Sequence, residues 1–250
     1  MIRIIMNGCN GHMGKTVCDI VSKEPDCEIV AGIDVVESNA TFPVYTNVSE
    51  CDMPADAIID FSTASAVPEI LNYAVSKKIP IVICTTGLSD ETLKMAEEAS
   101  KVIPVFRSAN MSLGINLLAS LLKKAVAMLD EANFDIEIIE KHHNQKLDAP
   151  SGTALLLADA MNETMGNKYN YVYDRSSVRQ KRDRKELGIH AVRGGTIVGE
   201  HSVIFAGKDE VVEFKHTATS KEVFAVGAVK AAKFIAGKPA GKYDMQDVMK

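Results

Sequence analysis

The sequence predicts an α/β chain: a doubly wound parallel sheet with an inserted α+β domain built on a mixed or antiparallel sheet. Three observations predict it. Short continuous apolar runs alternate with helical-period stretches through the first 112 residues. Beyond that point the strand-like segments alternate polar and apolar residues instead. An Ala-rich helical stretch at 221–236 then has the composition to pack back on the first region. Together these place one domain at 1–112 plus 222–250 and a second at 113–221.

The elements follow in order. Ile2 to Met6 is apolar throughout, as a strand buried on both faces of a parallel sheet requires. A glycine-rich turn, Gly8 to Gly14, leads into a helix over Lys15 to Lys23. Glu28 to Asp34 is a second strand, closed by an acid. Ala55 to Phe61 and Ile79 to Cys84 repeat the strand pattern, with helices at 66–76 and 90–100, and Val102 to Phe106 adds another strand. The second domain begins with a long apolar helix, Ile115 to Leu129, suited to core or subunit-interface packing. Asp135 to Glu140 alternates and reads as a half-exposed antiparallel strand, and Ser151 to Met161 is helical. Thr196 to Ile204 and Glu210 to Thr217 form a hairpin across Gly207-Lys208-Asp209.

Composition removes several classes of function. The 250 residues suffice for a substantial core. With 28 basic against 33 acidic side chains, a net charge of −5, 6% aromatics and no Trp, the chain is no nucleic-acid partner. The opening apolar run, Met1 to Met6, is too short for a signal peptide or a membrane span, and no later segment reaches about 18 apolar residues. The 5 cysteines, Cys9, Cys18, Cys27, Cys51 and Cys84, show no CxxC pairing and read as small buried hydrophobes. A cytoplasmic protein is expected.

Two segments carry chemistry. In Gly8-x-x-Gly11-x-x-Gly14 a strand-to-helix turn lets backbone approach a pyrophosphate, and the helix N-terminus supplies N–H groups and positive potential. The spacing is looser than GxGxxG, and such turns also arise for purely structural reasons. Its place after the first strand, with Asp34 closing the second to take ribose hydroxyls, carries the dinucleotide (Rossmann-type) reading. Asp34 also repels a 2′-phosphate, and Val35 and Val36 offer no cation, so the cofactor is NADH or NADPH with a lean to NADH. His12 or Lys15 remains available to assist NADPH.

The second segment is Glu140 to Thr153. His142, His143 and Lys146 lie between a strand end and a helix opened by Pro150-Ser151-Gly152-Thr153. Histidine delivers protons near neutral pH, while lysine and a helix N-terminus hold anions. A solvated polar loop is the plain alternative. A metal site is not expected, because adjacent strand residues point oppositely and Lys146 repels a cation. The basic stretch Arg175, Arg179, Lys181, Arg182, Arg184 and Lys185 is interleaved with acids and reads as a solvated face that also makes the domain electropositive.

These residues form recognisable strings. GCNGHMG at 8–14, CTTG at 84–87, SANMSLGIN at 108–116, EKHHNQKLDAPSGTA at 140–154 and RGGTIVGEH at 193–201 run end to end in order. The chain thereby resembles the 4-hydroxy-tetrahydrodipicolinate (dihydrodipicolinate) reductase family. The resemblance implies an NAD(P)H-dependent homotetramer that reduces a cyclic dicarboxylate in the diaminopimelate route to lysine. It implies that Gly8, Cys9, Asn10, Gly11, His12 and Met13 wrap the pyrophosphate while Asp34 meets the ribose. Cys84, Thr85 and Thr86, with Ser108, Ala109, Asn110 and Met111, are then expected at the nicotinamide. His142 and Lys146 become proton donors, and His143, Gly152 and Thr153 hold substrate carboxylates. Lys221 departs from the Arg often found in the family, losing a bidentate fork, and is not counted in the site. The absent Arg after Asp34 agrees with the lean to NADH. The glycine turn alone would equally serve another small-carboxylate dehydrogenase or a non-catalytic NAD-sensing regulator. Neither has a use for the HHxxK…SGT cluster.

Overall fold

The structure, a computed structural model, describes residues 1–36 and 40–250. It divides into two units, Met1–Ser112 with Glu222–Lys250, and Leu113–Lys221.

In the first unit, strands numbered along the whole chain are β1 (Ile2–Asn7), β2 (Cys27–Ile33), β3 (Val44–Tyr45), β4 (Ala57–Asp60), β5 (Ile81–Ile83), β6 (Pro104–Arg107) and β12 (Gly241–Tyr243). They form one parallel sheet in the order β12-β6-β5-β4-β1-β2-β3. The chain winds outward from β1 in both directions, so the sheet reverses between β1 and β4, where such folds open a crevice. Its helices are α1 (His12–Val21), α2 (Val67–Lys77), α3 (Asp90–Ala99), α6 (Glu222–Ile235) and the short α7 (Met245–Val248). α1 packs on α6 and α2 on α3, two helical layers that explain why the central strands are apolar without alternation. Ile4, Ile5, Met6 and all of Ala57–Asp60 are buried.

The Ala-rich segment 222–235 lies in this unit, held to the α1–β2 connection by Lys233 Nζ at 2.6 Å from Glu24 and 2.7 Å from Asp26. Three short strands, β3, β12 and, in the second unit, β8, have two or three residues each and thus no period for sequence reading to detect.

The second unit contains α4 (Leu113–Glu131), α5 (Gly152–Thr164) and strands β7 (Asp135–His142), β8 (Asn170–Val172), β9 (Glu186–Arg193), β10 (Gly199–Ala206) and β11 (Val211–Ala218). The sheet order is β11-β10-β7-β9-β8. β7 pairs antiparallel with β10 but parallel with β9, so it is the centre of a mixed sheet rather than the purely antiparallel strand its alternation suggested. The β10–β11 hairpin turns on Asp209 at φ 65.

Register explains the inner face of this sheet. Val212, Phe205, Ile136 and Leu187 align across four strands, and Phe214, Val203, Ile138 and Ile189 form the next row. Both rows pack against apolar residues of α4 and α5, such as Leu122 and Leu157. One step further along β7 the row becomes His216, His201 and Glu140, and after it come His142 and its neighbour Arg193. The face that builds the core therefore turns polar at the C-terminal end of β7.

Two arginines of the basic stretch are engaged structurally, while Arg179, Lys181, Arg184 and Lys185 are exposed. Arg182 Nε and Nη1 bond Glu137 and Asp135 at 2.8 and 2.9 Å, while its Nη2 bonds the carbonyls of Ile136 and Glu186. Arg175 pairs with Glu186. No helix among the described residues is long and apolar enough to cross a membrane.

Candidate active site

In the first unit the expected cofactor residues gather at the C-terminal ends of parallel strands. Gly8 to Met13 follow β1, Asp34 ends β2, Cys84 to Thr86 follow β5, and Ser108 to Met111 follow β6, the neighbour of β5. The glycine turn is built by close approach. Gly8 sits at φ +81, and a Cβ there would lie 2.6 Å from the Phe61 carbonyl oxygen. A Cβ on Gly14 would lie 2.0 Å from the Gly8 oxygen, whereas one on Gly11 would lie 3.3 Å away. Thus Gly8 and Gly14 shape the turn most closely, and Gly11, exposed at its tip, has the milder contact.

Gly11 also N-caps α1 with no side chain on the first-turn amides and no acid in that turn. Asp34 accepts from the Asn10 amide at 2.8 Å, and Asn10 Nδ2 donates to the Val36 carbonyl at 2.5 Å, which ties the turn to the end of β2. A cavity of about 450 Å³ opens here, walled by Gly8, Asn10, Gly11, Asp34, Ser62 and Thr63 among others.

These residues fit a dinucleotide. An uncapped helix start accepts phosphate, and an acid on the wall accepts ribose hydroxyls. Among the described residues of this unit, buried Thr85 Oγ1 after β5 and Asp60 Oδ2 at the end of β4 lack partners. Other expected contacts lie deeper. Cys9 is buried against Gly32, and burial, reinforced by Asp34, pushes its thiol up to about 11. Met111 is buried too, its carbonyl against Gly227. Burial likewise raises the Cys84 thiol, with Asp60 adding to it.

The polar end of the second unit is organised around Glu140, fully buried at 0% exposure. Arg193 grips it with two parallel bonds, Nη1 to Oε2 at 2.8 Å and Nη2 to Oε1 at 2.7 Å. The Ser151 amide donates to Oε1 at 2.9 Å, and His142 Nδ1 lies 2.6 Å from Oε2. Burial favours the protonated acid, but the bonds from Arg193, His142 and Ser151 prevail and hold Glu140 below the usual carboxylate range.

For His142, burial is the largest influence and lowers its pKa. Glu140 works against this, while Lys146 and Arg193 add to it. The ring stands edge-on to His201, centroids 5.1 Å apart. His201 Nε2 is 3.0 Å from Ser151 Oγ, which also caps α5 by accepting from the Ala154 amide at 3.1 Å. Burial, aided by His142, brings His201 down to about 4.

The loop after β7 delivers the other expected residues. Lys146 Nζ is 2.8 Å from Asp148 Oδ1, and the Gly152 amide donates to Asp148 Oδ2 at 3.3 Å. One carboxylate thus bridges a cation and a helix-start amide. His143 is half-buried beside His142, and Thr153 follows Gly152 in the first turn of α5. His142, His143, Lys146, Gly152 and Thr153 are therefore collected at one end of one unit. Among the described residues, no group of three His, Cys, Asp or Glu is arranged to hold a metal ion.

Sequence reasoning named neither Glu140, Arg193 nor His201 as site residues. One signal was present: Glu140 shares strand parity with Ile136 and Ile138, so an acid falls on the core face. Arg193 carries the same signal, since it shares strand parity with Leu187 and Ile189 of β9 and pairs with His142.

Comparison with known proteins gives a consistent picture. The family profile described as "Dihydrodipicolinate reductase, N-terminus" matches residues 2–111, and "Dihydrodipicolinate reductase, C-terminus" matches 114–249. The chain is 56% identical over 250 residues to a 4-hydroxy-tetrahydrodipicolinate reductase of Caldanaerobacter subterraneus subsp. tengcongensis, covering 100% of this chain and 99% of that one. It is 52% identical over 246 residues to a reductase of the same name from Clostridium tetani, covering 98% and 96%. Among solved structures it resembles the dipicolinate-bound dihydrodipicolinate reductase of a Paenisporosarcina species, with TM-score 0.79, 25% identity and coverage of 98% and 97%.

Proposed function

The chain belongs to the dihydrodipicolinate reductase family, and from that premise we propose that it reduces 4-hydroxy-tetrahydrodipicolinate to tetrahydrodipicolinate with NADH or NADPH, in the diaminopimelate route to lysine. The observation that carries the reading is the polar end of the second unit. There a buried, carboxylate-backed imidazole, a lysine ammonium and a helix N-terminus converge.

A bound nicotinamide cofactor supplies the hydride, and this chain's residues do the rest. Gly8, Cys9, Asn10, Gly11, His12 and Met13 form the phosphate turn, with Asp34 for the ribose. Cys84, Thr85, Thr86, Ser108, Ala109, Asn110 and Met111 line the nicotinamide end. The Gly152 and Thr153 amides, with His143, hold the substrate's carboxylates. Loss of the 4-hydroxyl as water gives a conjugated imine, and hydride addition to it leaves negative charge on the ring, which His142 neutralises by giving up a proton while Lys146 stabilises the charge as it forms. A dianionic substrate raises the proton affinity of both groups as it arrives.

The lean to NADH rests on Asp34 at the cavity wall and on Val35 and Val36, exposed at 89% and 61%, which offer a 2′-phosphate no cation. A homotetramer completes the reading. α4 leaves Leu117, Leu121 and Met128 exposed at 54%, 43% and 74%, an apolar stripe with no cover within the chain. The five thiols are unpaired, which suits the cytoplasm.

Steady-state reduction of enzymatically generated substrate with each cofactor tests the assignment. Expected are turnover with both, a higher kcat/KM for NADH, and competitive inhibition by dipicolinate. No turnover with either cofactor overturns the function, and a strong NADPH preference overturns the role given to Asp34. Light scattering of the eluted protein checks for four copies.

A further inference from the structure

We propose that Glu140, clamped by Arg193, is the positioning residue for His142: it fixes Nδ1 as the inward, proton-bearing nitrogen and leaves Nε2 to exchange its proton with substrate. The inference rests on the proton-donor reading of His142 and adds which nitrogen acts and what sets it.

The argument is an accounting of donors. A carboxylate has about four acceptor positions. At Glu140 Oε1 takes Arg193 Nη2 and the Ser151 amide, and Oε2 takes Arg193 Nη1. All three are obligate donors, and only one position is left, the one facing His142 Nδ1 at 2.6 Å. An ionised Glu140 has no proton to give, so Nδ1 must carry the hydrogen of that short bond. In the neutral ring the lone pair therefore lies on Nε2, and in the charged ring the labile proton does.

Nε2 is also kept clear. A Cβ added at Gly199 would lie 3.1 Å from it, so the absence of a side chain there leaves room beside that nitrogen.

The clamp is anchored from three strands and a helix. Arg193 lies beside His142 in the β7–β9 register and also donates to the carbonyls of Val192 and Asp148 at 2.8 and 2.6 Å. Ser151, the N-cap of α5, joins Glu140 through its amide and His201 of β10 through its hydroxyl. The charged or titratable groups acting on the ring are Glu140 on its own strand, Lys146 from the next loop, with Asp148 behind it, Arg193 from β9, and His201 from β10, with His216 of β11 behind it. Of these, Glu140 is the group that favours the imidazolium through a direct hydrogen bond.

The test reads the tautomer by long-range ¹H–¹⁵N correlation on the full-length protein, with kinetics of Glu140→Gln and Gly199→Ala alongside. In the unmodified chain neutral His142 is expected as the Nδ1–H form. In Glu140→Gln this preference is lost, the His142 titration moves to lower pH, and the alkaline limb of the kcat profile, where the protonated donor is lost, moves down with it. Here kcat falls about 10- to 100-fold, while the Kd values for NADH and dipicolinate change less than about threefold. Gly199→Ala keeps the Nδ1–H form but lowers kcat by crowding Nε2. An Nε2–H form in the unmodified chain overturns the proposal whether or not Glu140→Gln folds. So does a folded Glu140→Gln with unchanged tautomer, titration and kcat. Full turnover in His142→Gln instead overturns the proton-donor reading, and the tautomer spectrum still decides whether Glu140 sets the ring.

Discussion

The two units build their candidate sites in opposite ways. The first builds its site from backbone: at Gly8 and Gly14 a single added carbon would stand 2.6 and 2.0 Å from a carbonyl oxygen. The second builds from side chains, with Glu140, Arg193, His142, Ser151 and His201 joined by short bonds on a buried face. A diffuse pyrophosphate charge is matched by many weak amide dipoles, so what matters is how closely the chain can approach. A proton delivered to one atom needs one ionisable group with its hydrogen in a known place, which only a fixed side-chain network supplies. The first site should therefore fail when volume is added, and the second when a charge or a donor is changed.

Gly14→Ala is expected to break the first site most severely, since the new methyl meets backbone that cannot move aside. A loss of more than about 3 kcal/mol in urea unfolding is expected, beyond the usual overpacking range. Gly11→Ala, whose Cβ would lie 3.3 Å from the Gly8 oxygen, should cost far less stability than Gly14→Ala and weaken NADH binding. Equal stability losses in the two variants would mean that the turn is not shaped by the close approach.

The second site should reveal itself through pH. His201 has a folded pKa near 4 against an ordinary 6.5. Between those values the unfolded chain binds the extra proton, so stability rises with pH across that window. The contribution is full above about pH 6.5 and is lost as the pH falls towards 4. The loss amounts to up to about 3 kcal/mol, with His142 shifted in the same direction. Urea unfolding at pH 7 and 4.5 should show a smaller difference for His201→Asn than for the unmodified chain. An identical difference would remove His201 from the account.

Charge changes should act on turnover rather than on cofactor binding. His142→Gln and Lys146→Ala are each expected to lower kcat by at least about 100-fold with little change in NADH affinity. Near-normal turnover in both would reject their roles. The smallest effect is expected at Asp148, whose carboxylate already lies against Lys146 and the Gly152 amide, where a substrate carboxylate is proposed to bind. Asp148→Asn should tighten dipicolinate binding a few-fold in calorimetry. Weaker binding would instead show that Asp148 holds Lys146 in position.

Much of this was legible in the sequence, unevenly and for physical reasons. The β1 turn could be read because glycine spacing, helix start and Asp34 are all local features of one βαβ segment. His142 and Lys146 could be read because they fall in one short stretch of sequence with the Ser151 cap. Arg193 and His201 could not, because they lie 53 and 61 positions beyond Glu140 and their relevance depends on which strands flank β7. The same gap explains why β7, whose alternation suggested antiparallel neighbours, has a parallel one on one side.

By itself, then, the sequence determined what periodicity and local chemistry can encode: the apolar strands, the helices between them, the glycine turn and the histidine–lysine segment. Only the tertiary structure decided the partners of each strand. With them it decided that Glu140 is buried beneath Arg193, that His142 is gripped at Nδ1, and that Gly199 borders Nε2. Side-chain parity along a strand is fixed by covalent geometry. Neighbours across a sheet are fixed by contacts distant in sequence, and no local pattern contains them.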